Sequence, residues 1–245
     1  MLKGFWKLTW VEIKIFVREP MGFVGTLAVP VILFLILGRT LGVGRPGPAA
    51  LDRAPFNVAI FSALTISVGA VMSLVTIMAI YRDGGILKRL RATPLSPLTI
   101  LGAHVVVKLA FTVVSLVLLV AVGRRVFPGA MAVPLASFSA ALLLSTLSIL
   151  SLGFVIASVV PSARFAQPIA AAVMYPMIGL SGVFFPVTRL PRGLRIVALG
   201  LPTTHAVALM QNIWDGAGWQ WIDAAALAIV FALCTAVSTK IFRWE

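Results

Sequence analysis

Residues 56–81 read FNVAIFSALTISVGAVMSLVTIMAIY: no position from Phe56 to Tyr81 carries a charge, and the run ends at Arg82-Asp83. A hydrocarbon core about 30 Å thick takes ~20 apolar residues of helix to cross, with tilt absorbing a longer run. The stretch is therefore predicted to be a membrane-spanning helix. The same pattern recurs on both sides of it. Toward the N-terminus lies residues 22–41, with Pro30 inside as a predicted kink, separated by a loop holding Arg45, Pro46, Pro48, Asp52, Arg53 and Pro55. Toward the C-terminus lie residues 98–123, closed by Arg124-Arg125, then 133–160, closed by Pro161 and Arg164. Residues 166–185 follow, with Pro168 and Pro176 inside, and then 223–242, ending at Lys240 and Arg243. This predicts an all-α integral membrane protein with six spans.

Composition agrees. Hydrophobic residues make up 60% of the 245 and charged residues 11%, against about 25% charged in ordinary soluble domains. Mean hydropathy is +1.08. Lipid is the solvent in which such a chain is stable, because helices satisfy their own backbone hydrogen bonds. The net charge of +13, from 20 Lys and Arg against 7 Asp and Glu, would suggest nucleic acid in a soluble protein. Here the basic residues cluster at the ends of apolar runs and form no stripe interleaved with exposed aromatics, so lipid headgroups are the better partner and nucleic acid is not expected. Cys234, the one cysteine, excludes an internal disulfide and reads as packing.

Residues 1–20 are predicted to form a separate cytoplasmic element ahead of the transmembrane domain, residues 21–245. On a helical wheel Lys3, Lys7, Lys14 and Arg18 share one arc. Leu2, Trp6, Trp10, Ile13, Phe16 and Val17 fill the next, and Pro20 ends the pattern. A basic arc beside a Trp-bearing apolar arc suits an amphipathic helix lying in the headgroup plane; packing on another subunit is the alternative. The stretch lacks the apolar core and small-residue site of a cleaved signal.

Residues 186–221 hold two apolar helical pieces, near Pro191–Leu199 and Thr203–Trp214, each too short to span, with Trp214, Trp219 and Trp221 at the end. They are predicted to be a re-entrant or interfacial pair between spans 5 and 6, on the side of the loop after span 1. With the N-terminus inside, the inner side holds Lys3, Lys7, Lys14, Arg18, Arg82, Lys88, Arg89, Arg91, Lys108, Arg164, Lys240 and Arg243. The outer side holds Arg39, Arg45, Arg53, Arg124, Arg125, Arg189, Arg192 and Arg195. The bias places both termini in the cytoplasm of a plasma (inner) membrane protein. Lys108, only a short way into span 3, is predicted to snorkel to the cytoplasmic headgroups; a buried charge in a transport path is the alternative.

Catalytic machinery is missing. There is no phosphate-binding GxxxxGK[ST] loop, and His104 and His205 lie far apart, so no metal cluster is expected. The span cores contain no Asp, Glu or Arg, where ion-coupled carriers usually place carboxylates or polar broken helices. A carrier without coupling chemistry takes its energy from a partner.

The connector after span 2, YRDGGILKRLRATPLSP over residues 81–97, offers a docking point for one. Gly84-Gly85 permits a sharp reversal. Ile86–Arg91 can form one or two helical turns with Ile86, Leu87 and Leu90 on one side, before Pro94 and Pro97 redirect the chain. A solvated positive-inside loop is the plainer reading of these residues by themselves.

This stretch resembles the first cytoplasmic loop of the type-2 export permeases of ATP-binding-cassette transporters, where an Arg-Glu-x-Gly-Thr-Leu-Glu-x-Leu-x-x-Thr-Pro-Leu pattern forms the coupling helix. Arg82, Gly85, Leu87, Leu90, Thr93, Pro94 and Leu95 match; Asp83 stands for Glu, Ile86 for Thr and Lys88 for the second Glu. Ser181-Gly182, Phe185-Pro186, Leu190-Pro191 and Leu201-Pro202-Thr203-Thr204 resemble the family's late segment. The resemblance implies two permease subunits, identical or not, over two ATPase subunits that bind the ATP and Mg. It implies that Arg82, Asp83, Gly85, Ile86, Leu87, Lys88, Arg89, Leu90 and Arg91 couple to the ATPase. Phe184, Phe185, Pro186 and Pro202 would form an outer gate. Thr65, Met72, Thr76, Met174, Tyr175, Met177 and Ser181 are candidates for the substrate path, with helix packing as the alternative role of each. So uncharged a lining suits an apolar or amphipathic compound, a drug or lipid. Polysaccharide or glycolipid export, and a stand-alone secondary carrier, are the rival readings.

Overall fold

The structure is a computed structural model that describes residues 2–18, 20–40, 58–86, 97–126, 135–184 and 186–241. Among them every regular element is a helix. In chain order these are α1 (Leu2–Arg18), α2 (Pro20–Thr40), α3 (Val58–Ser67), a π-helical segment (Val68–Ser73), α4 (Leu74–Asp83), α5 (Pro97–Val126), α6 (Leu135–Val159), α7 (Ala163–Leu180), a 3-10 turn (Val187–Arg189), α8 (Arg192–Leu199), α9 (Pro202–Trp214) and α10 (Trp221–Ile241).

Four described stretches are long and apolar enough to cross a membrane: Val58–Asp83, Gly102–Val126, Ala136–Val159 and Trp221–Lys240. This is a multi-pass membrane protein. Helices also stand at predicted spans 1 and 5, as α2 and α7. The pair α8 and α9 reaches spanning length only when taken together, and it bends by 81° between its members.

The decisive uncharged stretch forms one rod, α3 to α4, at the centre of the molecule. Of its most apolar window 78% is buried, against 28% for Gly102–Val126 and 17% for Trp221–Lys240. Those outer helices leave most of their side chains at least partly exposed, while most of the rod packs on protein. Four of its hydroxyls fit that setting by bonding within the rod: Ser62, Thr65, Ser67 and Thr76 each donate to the carbonyl four residues back, at 2.7–2.8 Å.

The rod is not uniform, and its π turn is where α6 comes closest. A methyl group at Gly153 of α6 would collide with the Ala70 carbonyl and crowd Leu74. Glycine there lets two backbones approach, the usual device of membrane helices, which gain nothing from hydrophobicity against lipid tails and rely on close packing. Further along α6, α9 and α10 pack on its other faces, and Phe138 meets Trp214 edge-on with centroids 5.9 Å apart.

The N-terminal helix differs from its wheel in one respect. Trp6 and Trp10 face outward, at 59% and 58% exposure, and Lys14 lies 5.5 Å over the Trp10 ring. Phe16, expected among the outward apolar residues, is instead buried with Thr9 and Glu12. These three lie at i, i+3 and i+7, one face of a helix, and that face packs on α5, with the Phe16 and Phe111 rings 4.2 Å apart.

Candidate functional site

The last turn of α4 delivers the chain to the predicted coupling connector. The Gly84 amide donates to the Ile80 carbonyl at 2.8 Å and the Gly85 amide to that of Arg82 at 3.0 Å. Gly85 then takes a φ of +66°, the left-handed conformation that ends helices and that only glycine adopts freely. Ile86 is exposed, while Leu87, Lys88, Arg89, Leu90 and Arg91 lie outside the described residues, as do Thr93, Pro94 and Leu95.

Three successive residues of that turn bond to three different helices. The Tyr81 hydroxyl meets both carboxylate oxygens of Glu12 on α1, at 2.9 and 3.1 Å. The Arg82 guanidinium donates to the carbonyls of Ala157 (3.4 Å) and Val160 at the C-terminal end of α6. The Ala163 amide, at the start of α7, donates to the Asp83 carboxylate at 2.6 Å. Each charge sits where a helix wants it: the cation satisfies orphan carbonyls at a C-terminus, the anion an orphan amide at an N-terminus. Arg82 and Asp83 also stand 3.9 Å apart as an ion pair. The resemblance implied a coupling role for Arg82 and Asp83; in the structure both side chains also bond within the chain.

Behind Tyr81 lies a buried polar cluster that sequence reasoning missed. Glu12, His104 and Lys108 are 5%, 2% and 5% exposed. His104 Nδ1 is 3.5 Å from Glu12 Oε2, and the imidazole and Tyr81 rings are 5.6 Å apart. The Lys108 ammonium donates to Ser73 Oγ at the end of the π turn and lies 4.5 Å over the Phe16 ring. Lys108 therefore does not snorkel. Helix α5 begins at Pro97, which puts Lys108 three turns in, and α1 lies over it with a carboxylate of its own. Burial pushes the Glu12 carboxyl above the ordinary range, moderated by the Tyr81 hydroxyl and the Lys108 charge.

The predicted path residues do not converge on one cavity. Thr65 and Ser181 are buried, their hydroxyls satisfied by the Phe61 and Ile178 carbonyls. Thr65 faces a gap with Ser62, Thr112 and Ser115 that leaves no room for water. Met72 and Thr76 are half-buried along the rod, with the Thr76 hydroxyl on the Met72 carbonyl. On α7, Met174 and Met177 point inward while Tyr175 is 64% exposed. Of the predicted gate, Phe184 and Pro186 are exposed, Pro202 is buried at the start of α9, and Phe185 lies outside the described residues.

The gate region is pinned at two points. Thr203 Oγ1 donates to the Met177 carbonyl at 3.1 Å, joining α9 to α7. His205 sets Nδ1 2.7 Å from Asp223 on α10 and Nε2 2.9 Å from the Leu199 carbonyl that ends α8. His205 thus joins three helices at the 81° bend.

Fold and junction together describe a helical multi-pass membrane protein whose buried central rod is tied, at one end, into three neighbouring helices. The chain matches the ABC-2 type transporter family over residues 3–214, and it belongs to that family. No curated protein matches it.

Proposed function

We propose that this chain is the transmembrane subunit of an ATP-driven exporter. It works as a dimer, driven by two separate ATPase subunits that bind ATP and Mg, and has no catalytic activity of its own. Six spans, both termini in the cytoplasm, and a re-entrant α8–α9 pair beneath an outer gate complete the reading.

The observation that supports it is the triple attachment of Tyr81, Arg82 and Asp83 immediately before the connector. A push on residues 86–91 by a docked ATPase reaches α1, α4, α6 and α7 together, because those helices share one turn. Packed elements with discrete arrangements amplify a small displacement in this way. Glu12, His104 and Lys108 gather beside the rod, with Tyr81 and Ser73 as hydrogen-bond partners, and the rod itself carries no charge before Arg82. That arrangement suits a path for an apolar or amphipathic compound better than one for an ion.

The test is ATP-dependent uptake of an amphipathic dye into inverted vesicles holding this chain with its cognate ATPase. Uptake that needs both ATP and the ATPase supports the reading. Uptake driven by an ion gradient in ATPase-free liposomes overturns it in favour of a secondary carrier, and export confined to a highly charged solute overturns the substrate class.

A further inference from the structure

At the membrane face opposite the Glu12 junction, α5 and α6 leave an elongated cavity of about 450 Å³ between them. His104 and Arg124 are twenty positions apart on one helix. At ~1.5 Å per residue that is ~30 Å, a full hydrocarbon thickness. On α5 the wall runs along Leu109, Val113, Leu116, Val120 and Arg124 at helical spacing, with Val117 and Ala121 beside them. Phe138 and Leu142 of α6 face it, and among the described lining residues Ser139 is the one polar residue besides Arg124. Val113 and Val117 along its length are 48% and 59% exposed, so the cavity opens sideways. For a multi-pass chain, sideways is lipid.

We propose that this cavity holds one acyl chain of an anionic phospholipid, whose phosphate is bound by Arg124. The cavity lies within the ~300–1,000 Å³ range of small-molecule sites, and its long apolar stripe ending in one cation has the layout of a lipid, tail below head. The apolar wall cannot choose among lipids, because tails are as apolar as the leucines and valines that line it. Selectivity comes from the positive charge of Arg124, which favours a headgroup of net negative charge over a zwitterionic one whose choline offsets the phosphate. The C-terminal end of α5 by itself repels an anion, so the headgroup preference depends on the arginine side chain.

The experiment is native mass spectrometry of the purified full chain titrated with phosphatidylglycerol or with phosphatidylcholine of the same chain length. The wild-type chain is expected to retain one phosphatidylglycerol in preference to phosphatidylcholine. Arg124→Gln is expected to weaken phosphatidylglycerol about fivefold, the effect of one cation at an anionic surface, and to leave phosphatidylcholine unchanged. Arg124→Lys should keep most of the preference. Ala121→Phe, which fills the cavity from its α5 wall, should weaken both lipids, and Arg192→Gln on distant α8 neither. Equal retention of the two lipids by the wild-type chain, or undiminished phosphatidylglycerol on Arg124→Gln, overturns the proposal. So does a wild-type chain that retains no phosphatidylglycerol.

Discussion

Tyr81 and Glu12 are far apart in sequence and meet in a buried site where each is hard to replace. A hydrogen bond to a charged group contributes about 1.5–3 kcal/mol, and without the phenol the buried Glu12 carboxylate loses its closest donor. Tyr81→Phe is expected to destabilise the chain by about that amount. The loss should be read as a lower unfolding midpoint in detergent, with α1 becoming the first segment cleaved in limited proteolysis. Glu12 gives the same site a pH dependence. Its folded-state pKa is raised, so the native chain binds a proton that the unfolded chain has already released, and stability falls as pH rises from the ordinary carboxyl value of 4.5 through the raised one. Glu12→Gln abolishes that term. Going from neutral pH down toward 4.5, the wild-type chain should gain stability relative to Glu12→Gln. A constant difference between the two across that window would show that Glu12 does not titrate there. The two residues also mark the limit of sequence reading at this scale. Glu12 lies in a helix whose basic and Trp-bearing arcs drew attention to its outer faces. The face that matters, Thr9, Glu12 and Phe16, becomes visible only once α5 is known to lie against it.

Among the elements, the central rod was legible and its interior was not. An uncharged run of the right length specifies a spanning helix, and Val58–Asp83 is one. Nothing in the run announces six residues of π-helix, nor the close contact with α6 at that turn. Gly153 is that contact, and α7 provides a comparison. At Gly153 an added methyl meets the Ala70 carbonyl, whereas at Gly179 it meets nothing within 4 Å. Gly153→Ala is expected to cost about 1–3 kcal/mol, as overpacked sites do, and Gly179→Ala to be neutral or to stabilise by up to ~1 kcal/mol through reduced backbone entropy. Comparing the unfolding midpoints of the two variants separates close packing from helix propensity; equal midpoints would refute the close approach of α6 and the rod. The connector divides in a similar way. Gly85 was read as a reversal and takes a left-handed φ. The roles of Arg82 and Asp83 were illegible, since capping α6 and α7 depends on helices some 75–80 residues later in the chain.

For the whole molecule, the open question of topology is the 81° pair. Taken together α8 and α9 have the length and hydropathy of a span; taken apart they form a hairpin that enters and leaves on one side. The contacts favour the hairpin. His205 bonds both to the end of α8 and to Asp223 at the start of α10, so the bend and the beginning of the last span lie at one level. Thr203 holds α9 to the C-terminal part of α7 at Met177. A straight crossing would carry the start of α10 to the opposite face and invert the position of Lys240, against the bias of basic residues toward the inside. Because Cys234 is the only cysteine, a Cys234→Ser background permits single reporters at two exposed positions that bracket the pair, Thr188→Cys and Ala217→Cys. In intact cells a membrane-impermeant maleimide is expected to label both, and a third reporter, Lys7→Cys on α1, only after the membrane is opened. Labelling of Thr188→Cys without Ala217→Cys would make the pair a bent seventh crossing. The C-terminus would then lie outside, and the gate would have to be sought on another pair of helices.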